Sequence, residues 1–260
     1  MTSFLFGDSA EPLVGVYHAP HGRALRGAVL LCSSIGHEYM RAHWMLRRLA
    51  DRLAAVGFGV MRFDYFGVGD SSGTDGEGRP ARWQADSRLA MQELRDMSGA
   101  TAVALVGLRL GGALAYEVAT GEADISHLVL WDTVVRGTTF LDELAAMQQQ
   151  HQRLLTVHQA TTSGATEWLG ALYPAGLQDE ISRIDLLTAP LPAAVGQVHM
   201  VTSSHDVYYG QLHDHLAAHG AVTVHHVSEA GGWSNMRDFE CAALGREALD
   251  RTVHIMEGGA

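Results

Sequence analysis

The stretch Gly107-Leu108-Arg109-Leu110-Gly111-Gly112 follows the apolar run VALV and precedes the small-residue run ALAYEVA. A strand that turns sharply into a helix through Gly-x-nucleophile-x-Gly lifts its central side chain to the top of a sheet and aims the first N–H groups of the helix at it. The central residue here is Arg109 where a serine is expected. A guanidinium stays protonated, so it is neither a nucleophile nor a general base. It is a planar fork of donors, suited to a carboxylate, an enolate or a phosphate. The elbow therefore reads as an anion-binding or oxyanion-stabilising place, because the helix N-terminus favours negative charge whatever side chain stands there. The alternative is that Arg109 pairs with Asp206 or Asp132 and fills an inactive site. An Asp206 without a partner would otherwise be costly to bury.

A second group with chemical potential follows the apolar run AVLLC: Cys32, Ser33, Ser34, His37 and Glu38. Ser34 or Ser33 could sit near the oxyanion position, and His37 could serve as general acid or base when a carboxylate orients it. The plainer reading is that His37 and Glu38 open a helix, Glu38 complementing its dipole. Cys32 ends an apolar strand and reads as core. His205 stands beside Asp206 at another strand end, but neighbours on a strand point apart. His213-x-His215 and His225-His226 lack a spacing that would bring two imidazoles onto one ion, so neither a metal nor a cofactor is expected.

These residues need a scaffold. Strand patterns occur at 13–19, 28–34, 59–66, 102–108, 127–134, 197–204 and 222–229, and they alternate with helical patterns at 40–57, 83–99, after the elbow, 208–220 and 237–256. Such alternation predicts an α/β fold, a mostly parallel sheet with helices on both faces. The first two strands lie too close for a crossover helix and are expected to pair antiparallel at an edge. From Gly137 to Pro190 no convincing strand occurs; a helix over 140–159 and a second polar-apolar stretch over 165–187 are expected instead. That is too long for a simple crossover, and a helical cap over the strand ends is expected, since ligands of open α/β sheets bind there. Trp168, Tyr173 and Met147 would line an apolar pocket under it or simply pack it. Asp64 and Gly67-Val68-Gly69-Asp70-Ser71 read as a tight turn. With 260 residues, the chain is expected to form one domain, 1–260, with the cap at about 137–190.

Charge narrows the partners. There are 18 Lys and Arg against 29 Asp and Glu, a net −11, which opposes nucleic acid and anionic membrane surfaces. The 2 cysteines form no disulfide framework. The N-terminus lacks a signal-peptide pattern and no run reaches a membrane span, so a cytoplasmic protein is expected.

Four motifs in order, AVLLCSSIGHEY, FDYFGVGDSSG, VALVGLRLGGALA and VTSSHDVYY, resemble the α/β-hydrolase superfamily over nearly the whole chain. GHEYMRAHW, FDYFGVGDSSG and GLRLGG together resemble a subgroup with arginine at the elbow, whose members accompany exosortase systems and pathways using acyl carrier proteins. The resemblance implies an oxyanion loop after the second of these strands, a nucleophile position at Arg109 and an acid position at Asp206. The family's histidine should lie in Ser228–Ser234, where Gly232 or Trp233 stands instead. Hydrolysis through a serine acyl-enzyme at the elbow is therefore not expected. Arg109, His37, Asp206 and Ser34 are the candidate catalytic residues. Ser33, Ile35, Glu38, Leu110, Asp132 and Trp233 are the candidate substrate contacts. The expected function is a divergent enzyme acting on an acyl ester, thioester or carboxylate-bearing small molecule by hydrolysis, cyclisation or elimination, the acyl group free or on an acyl carrier protein. The alternatives are a non-catalytic binding or scaffold protein and a serine hydrolase with Ser34 as relocated nucleophile.

Overall fold

The computed structural model describes residues 1–22, 24–154, 166–192, 194–218, 220–229, 231–235, 238 and 241–258. In chain order the elements are β1 (Thr2–Phe6), β2 (Leu13–His18), β3 (Gly27–Cys32), α1 (Gly36–Ala55), β4 (Phe58–Phe63), α2 (Pro80–Ser98), β5 (Val103–Leu108), α3 (Leu110–Thr120), β6 (Ile125–Trp131) and α4 (Gly137–Leu154). There follow β7 (Thr166–Trp168), β8 (Ala171–Tyr173), α5 (Ala175–Ser182), β9 (Gln197–Thr202), α6 (Val207–Ala217), β10 (Val222–His226) and α7 (Arg246–Met256).

The fold is α/β. Eight strands form one sheet in the order β1-β2-β4-β3-β5-β6-β9-β10, parallel from β4 to β10. β5, at the middle, is buried along its whole length, as the near-continuous apolar run VALVGL requires of a strand covered on both faces. Its residues divide by the two-residue period of a strand. Val103 and Leu105 join the core beneath α2 and α3, while Ala104, Val106 and Leu108 join the core beneath α1 and α7.

Two expectations about the edge are corrected. β2 is antiparallel, but it pairs with β4 rather than β3, because β3 is enclosed between β4 and β5. The outermost strand is β1, antiparallel to β2, which the short, mixed TSFLF did not signal. The turn after β4 is held as expected: Asp64 accepts from the Asp70 N–H at 3.0 Å and from the Tyr39 hydroxyl at 2.8 Å, with Gly67 and Gly69 at positive φ.

The stretch between β6 and β9 carries α4, the short hairpin β7–β8, and α5. The hairpin corrects the expectation of no strand here; its strands are only 3 residues each, too short to show a period. The helix expected over 140–159 is α4 as far as Leu154, and its remainder lies outside the described residues. This stretch crosses the carboxyl ends of β3 and β5. Tyr173 packs its hydroxyl against Gly36, and Glu143 of α4 reaches Arg109. The last helix starts at Arg246 rather than 237. Among the described residues no helix is long and apolar enough to cross a membrane.

Candidate functional site

The elbow is built by glycines. A Cβ at Gly107 would stand 2.5 Å from the Gly111 carbonyl oxygen and the Gly112 Cα, a Cβ at Gly111 would collide with the backbone carbonyls of Cys32 and Ser33, and one at Gly112 with the Thr133 side chain. Only bare backbone lets α3 start this close to β3 and β6. Arg109 itself sits at φ 53°, ψ −122°, a strained conformation for a residue with a side chain. It is held because its N–H donates to the Trp131 carbonyl at 3.0 Å and its carbonyl accepts from Val134 at 3.1 Å and Gly112 at 3.0 Å. The elbow of a nucleophile is thus intact around a residue that is not one.

Arg109 is buried, its side chain 9% exposed, and its donors are engaged. Nε donates to Glu38 Oε1 at 2.8 Å, one terminal nitrogen donates to Glu143 Oε2 at 2.7 Å, and the other reaches the Asp132 backbone carbonyl at 3.4 Å. The ring of Phe140 faces the guanidinium, 5.8 Å away. Burial alone would lower the arginine's pKa, but the Glu38 and Glu143 carboxylates outweigh it and hold the guanidinium above its ordinary range. The expected pairing with Asp206 or Asp132 side chains is corrected. Asp132 turns to other partners, and Asp206 is exposed at the start of α6, where it accepts from the Tyr208 N–H at 2.9 Å. Asp206 still lines the cavity next to Arg109.

Glu38 is 1% exposed, in the first turn of α1. Its second oxygen accepts from the Ser34 hydroxyl at 2.5 Å. Ser34, Glu38, Arg109 and Glu143 therefore form one continuous chain. His37 is buried beside it, and burial lowers its pKa, against the opposing pull of Glu38. The neutral imidazole is the form this environment favours. Ile35 is the N-cap of α1, and His37 and Glu38 stand in its first turn. Ile35 and Leu110 both pack into the core beneath α2 and α3. Ser33 is buried at 5% exposure, its carbonyl against Gly111.

The remaining positions close in a second network. Asp132 stands at the end of β6 with φ 42° and is 1% exposed. One carboxylate oxygen accepts from the Ser203 N–H at 2.7 Å; the other accepts from the Ser203 hydroxyl at 2.8 Å and from the Trp233 indole at 2.9 Å. An aromatic N–H on a buried carboxylate is the contact a histidine would make in a Ser-His-Asp arrangement. Indole, however, has no basic nitrogen with which to take a proton. Arg41 faces the Trp233 ring at 5.4 Å and donates to the carbonyls of Gly232 at 2.9 Å and Cys241 at 3.1 Å, which fixes the loop. Glu143, Ser203 and Arg41 were not foreseen. Arg41 lies within GHEYMRAHW and Ser203 within VTSSHDVYY, while Glu143 is an acid on the helix face that carries Phe140 and Met147.

Beside the elbow lies a cavity of about 30 Å³ lined by Arg109, Thr133, Phe140, Glu143, Tyr208 and Tyr209 among others. Among the described residues no group of three or more His, Cys, Asp or Glu side chains is placed to hold a metal ion.

This fold is shared widely. The mouse alpha/beta hydrolase domain-containing protein 10 is 16% identical with a TM-score of 0.65, covering 99% of this chain and 98% of its own. Est1E from Butyrivibrio proteoclasticus, with ferulic acid bound, is 12% identical with a TM-score of 0.68, covering 98% and 96%. The thioesterase domain from the curacin biosynthetic pathway is 14% identical with a TM-score of 0.59, covering 100% and 99%. At these identities the likeness is one of fold. No curated protein matches by sequence. Residues 23–230, from just before β3 through the loop that approaches Trp233, match the serine aminopeptidase S33 model, and with its sheet order and glycine-built elbow the chain belongs to that family of α/β hydrolases.

Proposed function

We propose that this chain acts on an acyl ester, thioester or carboxylate-bearing small molecule, held at the elbow by Arg109, and that it does so without an acyl-enzyme on residue 109. The observation that carries the reading is the exchange of the nucleophile for a buried arginine already paired with carboxylates, Glu38 at 2.8 Å and Glu143 at 2.7 Å. A place that holds carboxylates within the family's own oxyanion region is suited to a ligand's carboxylate, or to the oxygen on which charge develops in acyl chemistry. Trp233 on Asp132 removes the histidine's role. Proton transfer for a cyclisation, elimination or water attack then falls to His37, whose burial favours the neutral, proton-accepting form. The acyl group is either free or delivered on an acyl carrier protein; the similar thioesterase domain makes thioesters a substrate class to test.

Relocation of the nucleophile to Ser34 is the weaker reading. Its hydroxyl does contact a carboxylate at 2.5 Å, but that carboxylate, Glu38, already holds Arg109 with its other oxygen at 2.8 Å. The test combines three measurements on the purified chain. A fluorophosphonate probe is expected to leave the protein unlabelled; labelling at Ser34 would establish the relocated serine instead. Acyl-pantetheine thioesters and short acyl esters are offered as substrates, with His37→Asn expected to remove any turnover. Calorimetry with ferulate is expected to show binding that weakens at least about tenfold in Arg109→Ala, the scale of one charged hydrogen bond. Unchanged affinity in that variant would refute the anion site.

A further inference from the structure

We infer that Glu143 is an internal occupant of the Arg109 site, and that a ligand monocarboxylate with an apolar body binds by displacing it and freeing α4 from the elbow. The inference rests on the proposed anion-binding role of Arg109. Its basis is the inequality of the two carboxylates. Glu38 is 1% exposed and spends both oxygens, one on Arg109 and one on Ser34. It cannot leave without stranding a buried charge. Glu143 has a side chain 31% exposed, and its contact with Arg109 is made by one oxygen at 2.7 Å. Water can receive it when it swings out.

Space requires the same movement. The cavity beside Arg109 measures about 30 Å³, room for roughly two or three waters and too little for the carboxylate and body of an aromatic acid together. Glu143 stands in its wall, where a ligand's carboxylate would have to lie. Charge selects the class. Arg109, Glu38 and Glu143 sum to one net negative charge, and replacing Glu143 with one ligand carboxylate leaves that balance unchanged, whereas a phosphate dianion would add to it. The other walls, Val134, Phe140, Tyr208 and Tyr209, offer apolar and aromatic surface to the body of the ligand. A tethered competitor acts at a high effective concentration and depresses apparent affinity, so removing it should reveal the site.

The experiment is calorimetric titration of ferulate and of inorganic phosphate into the wild type, Glu143→Ala and Arg109→Ala. Amide hydrogen exchange of α4 is followed with and without ferulate. Expected are ferulate binding roughly tenfold tighter in Glu143→Ala than in the wild type, no comparable gain for phosphate, and faster α4 exchange both in Glu143→Ala and in the ferulate-bound wild type. Equal ferulate affinity in the wild type and Glu143→Ala, with binding lost in Arg109→Ala, would overturn the displacement alone. Ferulate binding that survives Arg109→Ala, or is absent from both other proteins, would overturn the displacement together with the anion site beneath it.

Discussion

Arg109 occupies a buried elbow because two carboxylates were brought to it, and Glu38 depends on the arginine as much as the reverse. The pair is nearly inaccessible, with side chains 9% and 1% exposed. Arg109→Ala is therefore expected to destabilise the fold by about 3–5 kcal/mol, the cost of leaving a buried charge uncompensated. Adding Glu38→Gln should recover much of that loss, since a neutral amide can still accept from Ser34. Urea unfolding of the single and double variants measures it. A double variant no more stable than Arg109→Ala would show that the loss comes from packing rather than from the stranded carboxylate. At this scale the sequence was informative about absences. Arginine for serine at 109 and tryptophan where the histidine is sought are single-letter facts. What those side chains touch was not legible: Arg109 and Glu143 are 34 positions apart, on two elements whose crossing is decided by the packing of α4 on the strand ends, and no local pattern encodes that crossing.

The elements show why the elbow keeps its shape around an arginine. β5, α3 and β3 meet through backbone rather than side chains, and the glycines of GLRLGG are required by that contact whatever residue 109 does. Gly111→Ala would press a methyl group against the carbonyls of Cys32 and Ser33, which belong to a central strand end and cannot yield cheaply. The expected outcome is severe overpacking, above the ordinary range of about 1–3 kcal/mol for such insertions, read as lost soluble expression or a sharply lowered Tm. Gly210→Ala, on α6 with open space around its Cβ position, is the matched control and should leave Tm unchanged or slightly raised. Equal behaviour of the two variants would show that close approach is not what the elbow glycine provides. Long elements were legible because their periods are long: β5 as an apolar run, α1 and α2 as stripes. The strands β7 and β8 and the edge strand β1 were not, because three to five residues with mixed exposure carry no period to read.

Across the whole molecule the order of strands, elbow and turn made the central parallel sheet legible, yet one consequence of the sheet's assembly emerges only in three dimensions. His127 of β6, His199 of β9 and His225 of β10 lie 72 and 26 positions apart, but the parallel register stacks their rings at centroid distances of 5.9 and 5.4 Å. His199 contacts His225 at 3.2 Å and the Gln197 side chain at 3.2 Å. Burial, and then the neighbouring imidazoles of His225 and His127, push His199 down to about 4. Burial also lowers His127, and burial with Arg251 and His254 of α7 lowers His225. Each of these groups binds its proton more weakly folded than unfolded, so between the two pKa values the unfolded chain holds more protons and stability rises with pH. The contribution of His199 is whole above its unfolded value near 6.5 and is lost as pH falls toward 4. A shift of that size is worth at most about 3 kcal/mol. Asp64, Asp86 and Glu117 act oppositely, since burial raises their pKa and acid favours their folded form, so the total profile alone does not isolate the ladder. A difference does. His199→Gln removes the titration but keeps a hydrogen-bonding side chain, and its urea-unfolding free energy should fall less than that of the wild type between pH 7 and pH 4.5. Parallel pH profiles for the two proteins would show that the stacked imidazoles titrate alike in the folded and unfolded chain, and the ladder would then have no part in acid sensitivity.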